Sequence, residues 1–260
     1  MKILLTNDDG VFARGIWELA NALKSKHDVI ISAPDSNRSG AAHSFTLTMP
    51  LRCSEVMLNG LENVKAYSAS GTPVDCVKLA CGNLGIAPDL IISGINHGEN
   101  RGTDVFYSGT VSAAVEGALL GIPSIAASNV CCTDPKHLKA SAVIVSEIVD
   151  TLEKNGIEKT LLLNINIPDK EAEDIKGVKV TSLSFQEYEQ TYDERLDTRN
   201  MRYYWIPAGR LTKCLGNEDN DERWVNEGYV SITPLKTDLT DYERIEKYRA
   251  VFFRKGDDKE

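Results

Sequence analysis

An alternation constrains this chain more than any other feature. From residue 1 to about residue 180, apolar runs of strand length alternate with segments of helical spacing. The strand-like runs are Lys2–Thr6, Asp28–Ala33, Val64–Ala69, Asp89–Ser93, Ser124–Ser128 and Thr160–Ile165. Between them, Ile16, Leu19, Ala20 and Leu23 keep helical periodicity, as do Val74, Val77, Lys78 and Cys81, and Ala140, Ile144, Ile148 and Leu152. A run of βαβ units of this kind predicts an α/β fold: a Rossmann-like, doubly wound, mostly parallel sheet with helices on both faces. Two helix starts are marked in the residues themselves. Thr72-Pro73-Val74-Asp75 offers a cap, a first-turn proline and an acidic third position, and Ser108-Gly109-Thr110 precedes an Ala/Val-rich segment.

After about residue 183 the texture changes. Phe185–Tyr192 and Met201–Ile206 are aromatic-rich runs flanking the polar stretch Asp193–Asn200, where Asn200 suits a positive φ. They predict a protruding hairpin over residues 185–206. Beyond it, Asn217–Glu222 reads as a polar loop, residues 229–235 as a returning strand and residues 241–249 as a C-terminal helix. The expected organisation is therefore a catalytic core over 1–182 and an arm over 183–260. An arm with little core of its own that carries exposed aromatics predicts self-association.

Composition enters where partners are concerned. With 29 Lys and Arg against 38 Asp and Glu, the net charge of −9 argues against binding nucleic-acid polymers or anionic membranes. The apolar residues after Lys2 are too few for a signal-peptide core, and no run reaches membrane-spanning length, so the expected location is cytoplasmic. Cys53, Cys76, Cys81, Cys131, Cys132 and Cys214 form no zinc-type spacing and are expected to be free thiols. Adjacent Cys131 and Cys132 read as ordinary packing rather than as a redox pair.

Four loops carry the chemistry, and all fall at or beyond carboxyl ends of predicted strands, where ligands of parallel sheets gather. Asn7-Asp8-Asp9-Gly10 closes the first strand with two adjacent carboxylates, which repel each other unless a cation joins them. Ala33–Gly40 offers hydroxyls, an amide and Arg38. Ser93–Asp104 is long, glycine-rich and polar. Tyr107-Ser108-Gly109-Thr110 opens a helix whose free N–H groups and dipole suit a phosphate.

These loops, together with Ser39-Gly40 followed by His43-Ser44, Ser70–Val77, Ser93-Gly94-Ile95-Asn96, Glu116-Gly117 and Ser231–Leu235, resemble the SurE family of metal-dependent nucleoside monophosphate phosphatases. The motifs occur in the family's order over nearly the whole chain. The resemblance implies metal ligation by Asp8, Asp9, Ser39 and Asn96, and phosphate contacts from Asn96, Ser108, Gly109 and Thr110. It also implies a Rossmann-like core with an arm that builds dimers or tetramers. One departure is Asp197-Thr198-Arg199-Asn200, where the family arm often carries a Pro and Gly turn.

Two carboxylates, a hydroxyl and an amide carbonyl make an all-oxygen ligand set, which favours Mg²⁺ or Mn²⁺ over zinc. The expected activity is hydrolysis of nucleoside 5′-monophosphates, and of 3′-monophosphates too. Asp8 is the catalytic candidate, orienting a water as base or attacking phosphorus itself. His43 is a candidate proton donor or orienting group, the family motif asks for no histidine at His97, and Arg38 and Arg101 are candidate phosphate contacts. Haloacid-dehalogenase-type phosphatases separate their two aspartates by one residue, and nicotinamide sites need G-x-G-x-x-G; neither pattern is present. The remaining alternative is a nucleotide-binding, stress-sensing module without hydrolysis.

Overall fold

The computed structural model describes residues 1–131, 134–189, 191–206 and 211–253. In chain order its strands are β1 (Lys2–Thr6), β2 (Asp28–Pro34), β3 (Cys53–Val56), β4 (Lys65–Ala69), β5 (Leu90–His97), β6 (Ser124–Asn129), β7 (Leu162–Ile167), β8 (Val178–Val180), β9 (Phe185–Tyr188), β10 (Asp193–Leu196), β11 (Arg202–Trp205), β12 (Leu211–Leu215) and β13 (Val230–Pro234). The helices are α1 (Arg14–Leu23), α2 (Pro73–Gly82), α3 (Gly109–Leu119), α4 (Pro135–Asn155), α5 (Asp221–Asn226) and α6 (Tyr242–Phe252).

The main sheet has the order β3-β4-β2-β1-β5-β6-β7-β13-β8. Its six central strands, β4 to β7, run parallel, while β3 and β13 pair antiparallel with their inner neighbours. Ile3, Leu4 and Leu5 of β1 are fully buried because helices cover both faces of the sheet. Each such side chain contributes about 1.5–3 kcal/mol on burial, which is why the least polar strand occupies the middle. Strand order reverses between β1 and β5, since β1 is followed outward by β2 on one side and by β5 on the other. A crevice opens at the carboxyl ends of such a pair.

All six predicted core strands form, and the two marked helix starts do too. Thr72 accepts from Asp75 N while the Asp75 carboxylate accepts from Thr72 N, a complete capping box. β5 runs further than its apolar stretch predicts, through Asn96 and His97, because β6 continues to pair with it after an irregularity between Ser93 and Asn96. Glycine is required in that irregularity. Gly94 has φ +137°, and a Cβ there would sit 2.2 Å from Ala127 O.

The arm differs in detail from the expected hairpin. Phe185–Tyr188 pairs with Leu211–Leu215, and the inner pair is β10 with β11, so the polar stretch from Asp193 itself supplies a strand. The turn shrinks to Asp197–Met201, with Asn200 at φ +60° and Asp197 Oδ1 accepting from Arg199 N and Met201 N. The segment 217–222 is a loop only up to Asn220, whose side chain caps α5 by accepting from Arg223 N. The returning strand β13 enters the main sheet between β7 and β8.

The described cysteines are free thiols, as expected. Cys131, however, is exposed at φ +71°, in the turn after β6, so it does not pack as anticipated; Cys132 lies outside the described residues. Among the described residues, no helix is long and apolar enough to cross a membrane.

Candidate active site

Asp8 and Asp9 follow β1 directly at the β1/β5 crevice. Asn7 shapes their turn by donating from Nδ2 to Gly10 O at 2.9 Å while its Oδ1 accepts from Gly10 N at 3.1 Å. Asp8 is only 3% exposed, and both of its oxygens meet one residue of the α3 start. Thr110 Oγ1 donates to Oδ1 at 2.6 Å, and Thr110 N donates to Oδ2 at 3.2 Å. Gly109 is required here for space, because a Cβ on it would lie 2.9 Å from Asp8 Cβ and 3.0 Å from Oδ2.

The other two loops reach the same point. Arg38 N donates to Asp8 O at 2.7 Å, which brings the 35–40 loop to Asp8, and within that loop Ser39 N donates to Asn37 Oδ1 at 2.9 Å. His97 N donates to Asp9 Oδ2 at 3.2 Å, and Asn96, one residue earlier and buried, commits its amide nitrogen to Gly98 O at 2.9 Å. Its carbonyl oxygen is thereby the end left for a ligand. Four loops far apart in sequence thus converge on Asp8 and Asp9.

Neither carboxylate has an ion-pair partner among the described residues. Burial pushes the Asp8 carboxyl above its ordinary range, against the hydrogen bonds from Thr110 that pull it down. Burial also raises Asp9, and the adjacent Asp8 charge raises it further. Two crowded carboxylates in this state fit a divalent cation, which would relieve both effects. The donor set of carboxylates, hydroxyl and amide oxygen suits a hard ion.

The α3 start is less open than its sequence implies. Thr110 N and Gly109 N are both turned to the Asp8 carboxylate and Val111 N to the Ser108 side chain at 3.0 Å, so the Ser108 hydroxyl proton is what remains for an anion. Neither candidate arginine is a simple phosphate clamp. Arg38 Nη2 donates to Ser70 O at 3.1 Å and Asp35 Oδ1 at 3.3 Å, bracing its own loop. Arg101 is 6% exposed and pairs with Glu99 and with Glu222 at 3.2 Å, and it donates to Asn226 Oδ1 at 3.1 Å. It cannot leave this network cheaply, since the two partly buried acids would lose their counter-charge. His43 Nε2 sits 2.9 Å from Glu116 Oε2, and Lys78 Nζ meets the other Glu116 oxygen at 3.1 Å. The pair tethers the 39–52 loop to α3.

Several positioning residues escape sequence reasoning. Asn100, within the 93–104 loop, is fixed by Asn166, Ser128 and Asn164, all buried, through hydrogen bonds of 2.7–3.0 Å. Asp221 accepts from Gly102 N and Ser184 N, each at 2.8 Å, joining that loop to the base of the arm. The only signal for such a cluster is asparagine at strand ends, Asn164 and Asn166, where an apolar run would otherwise continue.

Fold and site together define a class: a Rossmann-like α/β protein presenting paired carboxylates and a helix start at the crevice where strand order reverses. Residues 3–190 match the family model described as "Survival protein SurE". The protein named 5′-nucleotidase SurE from Syntrophomonas wolfei is 47% identical over 253 residues, covering 97% of this chain and 95% of its own. That of Vibrio vulnificus strain YJ016 is also 47% identical, covering 94% and 93%. The crystal structure of the SurE protein from Aquifex aeolicus superposes with a TM-score of 0.81 at 39% identity, over 96% of this chain and 99% of that one. The chain belongs to the SurE family.

Proposed function

We propose that this protein is a divalent-metal-dependent nucleotidase, hydrolysing nucleoside 5′-monophosphates, and 3′-monophosphates as well, to nucleoside and phosphate. The relatives' name supports the 5′ activity. The observation that carries the reading for this chain is the meeting of four loops on two partly buried carboxylates without an ion pair, beside a helix start.

Asp8, Asp9, Ser39 and Asn96 are the residues that would hold Mg²⁺ or Mn²⁺. When bound, the ion neutralises phosphate charge and polarises the phosphoryl group. Asp8 then acts as the base that takes a proton from the attacking water. Both of its oxygens are already hydrogen-bonded to Thr110, which suits a positioned base better than a nucleophile. The Ser108 hydroxyl donates to a phosphoryl oxygen and Asn96 contacts the phosphate, with Gly109 and Thr110 holding Asp8 in register. The arm's exposed Tyr203, Tyr204 and Trp205 support self-association of the chain as a dimer or tetramer.

The test is phosphate release from AMP and GMP with Mn²⁺. Asp8→Asn is expected to lower turnover by about 10²–10⁴-fold, with an unchanged circular-dichroism spectrum. Near-normal turnover in the variant would defeat the proposal. Tight AMP binding by the wild type with no phosphate released would replace it with a sensing role.

A further inference from the structure

A second cluster lies at the opposite, amino edge of the sheet. His27 ends the α1–β2 turn immediately before β2, whose first residue Asp28 pairs in register with Lys2. Asp150 and Glu153 project from the last two turns of α4, which packs on α1. One ring nitrogen of His27 and one carboxylate oxygen from each acid lie within 4.8 Å of one another. His27 is only 9% exposed, yet among the described residues neither of its ring nitrogens has a hydrogen-bond partner, and both are closed off from solvent. A buried imidazole with two unpaired nitrogens is costly, because each forfeits its bond to water. Here that imidazole also lies against two carboxylates.

We infer that His27, Asp150 and Glu153 form a binding site for a first-row transition dication of the zinc class, separate from the Asp8 and Asp9 site. The separation is about the length of β1, five residues at about 3.3 Å each, or about 17 Å. One imidazole nitrogen and two carboxylate oxygens select zinc, cobalt or nickel over magnesium. An ion with about 2.1 Å bonds sets its ligands about 3.0–3.5 Å apart, so the three donors close by about 1 Å on binding. The carbonyl end of α4 adds a favourable field for a cation. Lys26 and the Met1 amino group are the positive charges that act on His27, and Lys26 and Lys154 those that act on Asp150. Lys26 pairs with Asp150 Oδ2 at 2.5 Å and competes for that oxygen. The bound ion ties α4 to the α1–β2 turn, joining two elements that otherwise meet through apolar contacts and that one exposed pair.

The test uses the untagged full chain carrying Asp8→Asn and Asp9→Asn, so that the carboxyl-edge site does not compete. Calorimetric titration with Zn²⁺ is expected to show an equivalent that disappears when His27→Ala is added. Asp150→Asn with Glu153→Gln removes the same equivalent and covers the case in which the His27 variant fails to fold. Lys26→Met tightens it, and Mg²⁺ gives no heat there. Titration with Co²⁺ adds a visible absorption band that depends on His27. Zinc binding unchanged by loss of His27 and by the Asp150 and Glu153 substitutions, or no zinc bound by the Asp8 and Asp9 variant, overturns the inference.

Discussion

The carboxyl edge of the core and the projecting arm are made by the same chain on opposite terms. At the core edge, Asp8, Asn96, Asn100 and Thr110 are buried polar groups, and the chain itself supplies their partners from loops up to a hundred residues apart. In the arm, every residue of β10 and β11 is exposed, including Tyr203, Tyr204 and Trp205, and this pair of strands joins no larger sheet. The first region stores electrostatic cost where a ligand can relieve it. The second leaves apolar surface where another protein surface can cover it. The difference teaches that the proposed chemistry and the proposed self-association draw on separate parts of the fold, joined at the Asp221, Arg101 and Tyr188 contacts between loop 97–104 and the arm base.

Three changes sharpen or break that contrast. The largest effect is expected from Gly109→Ala, whose methyl would press on Asp8 at about 3 Å and shift the carboxylate. AMP turnover should fall about 10²-fold with the fold retained, and unchanged kcat/KM would show that the α3 start does not set Asp8. Next, replacing Tyr203, Tyr204 and Trp205 together by Ser should convert the assembly to smaller species in light scattering while each chain keeps its turnover. An unchanged mass would show that the inner hairpin is not the contact surface.

The smallest effect is a pH dependence. Asp9 titrates above its ordinary range through burial and the neighbouring Asp8 charge. The folded metal-free chain therefore holds that proton more tightly than the unfolded chain, so ionised Asp9 costs stability above the folded-state pKa, and the cost fades as pH falls through it. Metal-free Asp9→Asn should melt higher than metal-free wild type at neutral and alkaline pH, with the gap narrowing as the pH is lowered through the raised Asp9 pKa. A gap that widens on acidification would reverse the sign of this account.

Much of the core was legible in sequence because local pattern decides it. Apolar runs such as Ile3-Leu4-Leu5 specify buried strands, and Thr72-Pro73 and Ser108-Gly109 mark helix starts by chemistry confined to a few residues. What was not legible depends on partners distant in the chain. β3 is half-exposed and exists because β4 pairs with it. The arm's nested pairing follows from register between segments that no local period distinguishes. In the site, the residue types at the four loops were readable, whereas the Thr110 grip on Asp8 and the burial of Arg101 depend on how the loops pack. The burial of Arg101 in particular was hidden, because a charged residue in a polar loop has no local signature of an ion pair with Glu222.

The central claim is that the crevice at Asp8 and Asp9 is a metal-dependent nucleotidase site. Its most direct test is phosphate release from AMP by chelator-stripped wild-type protein, measured before and after addition of Mn²⁺. The account predicts no turnover in EDTA and recovery on adding Mn²⁺, with no recovery in Asp9→Asn. Full turnover in the stripped protein would contradict it.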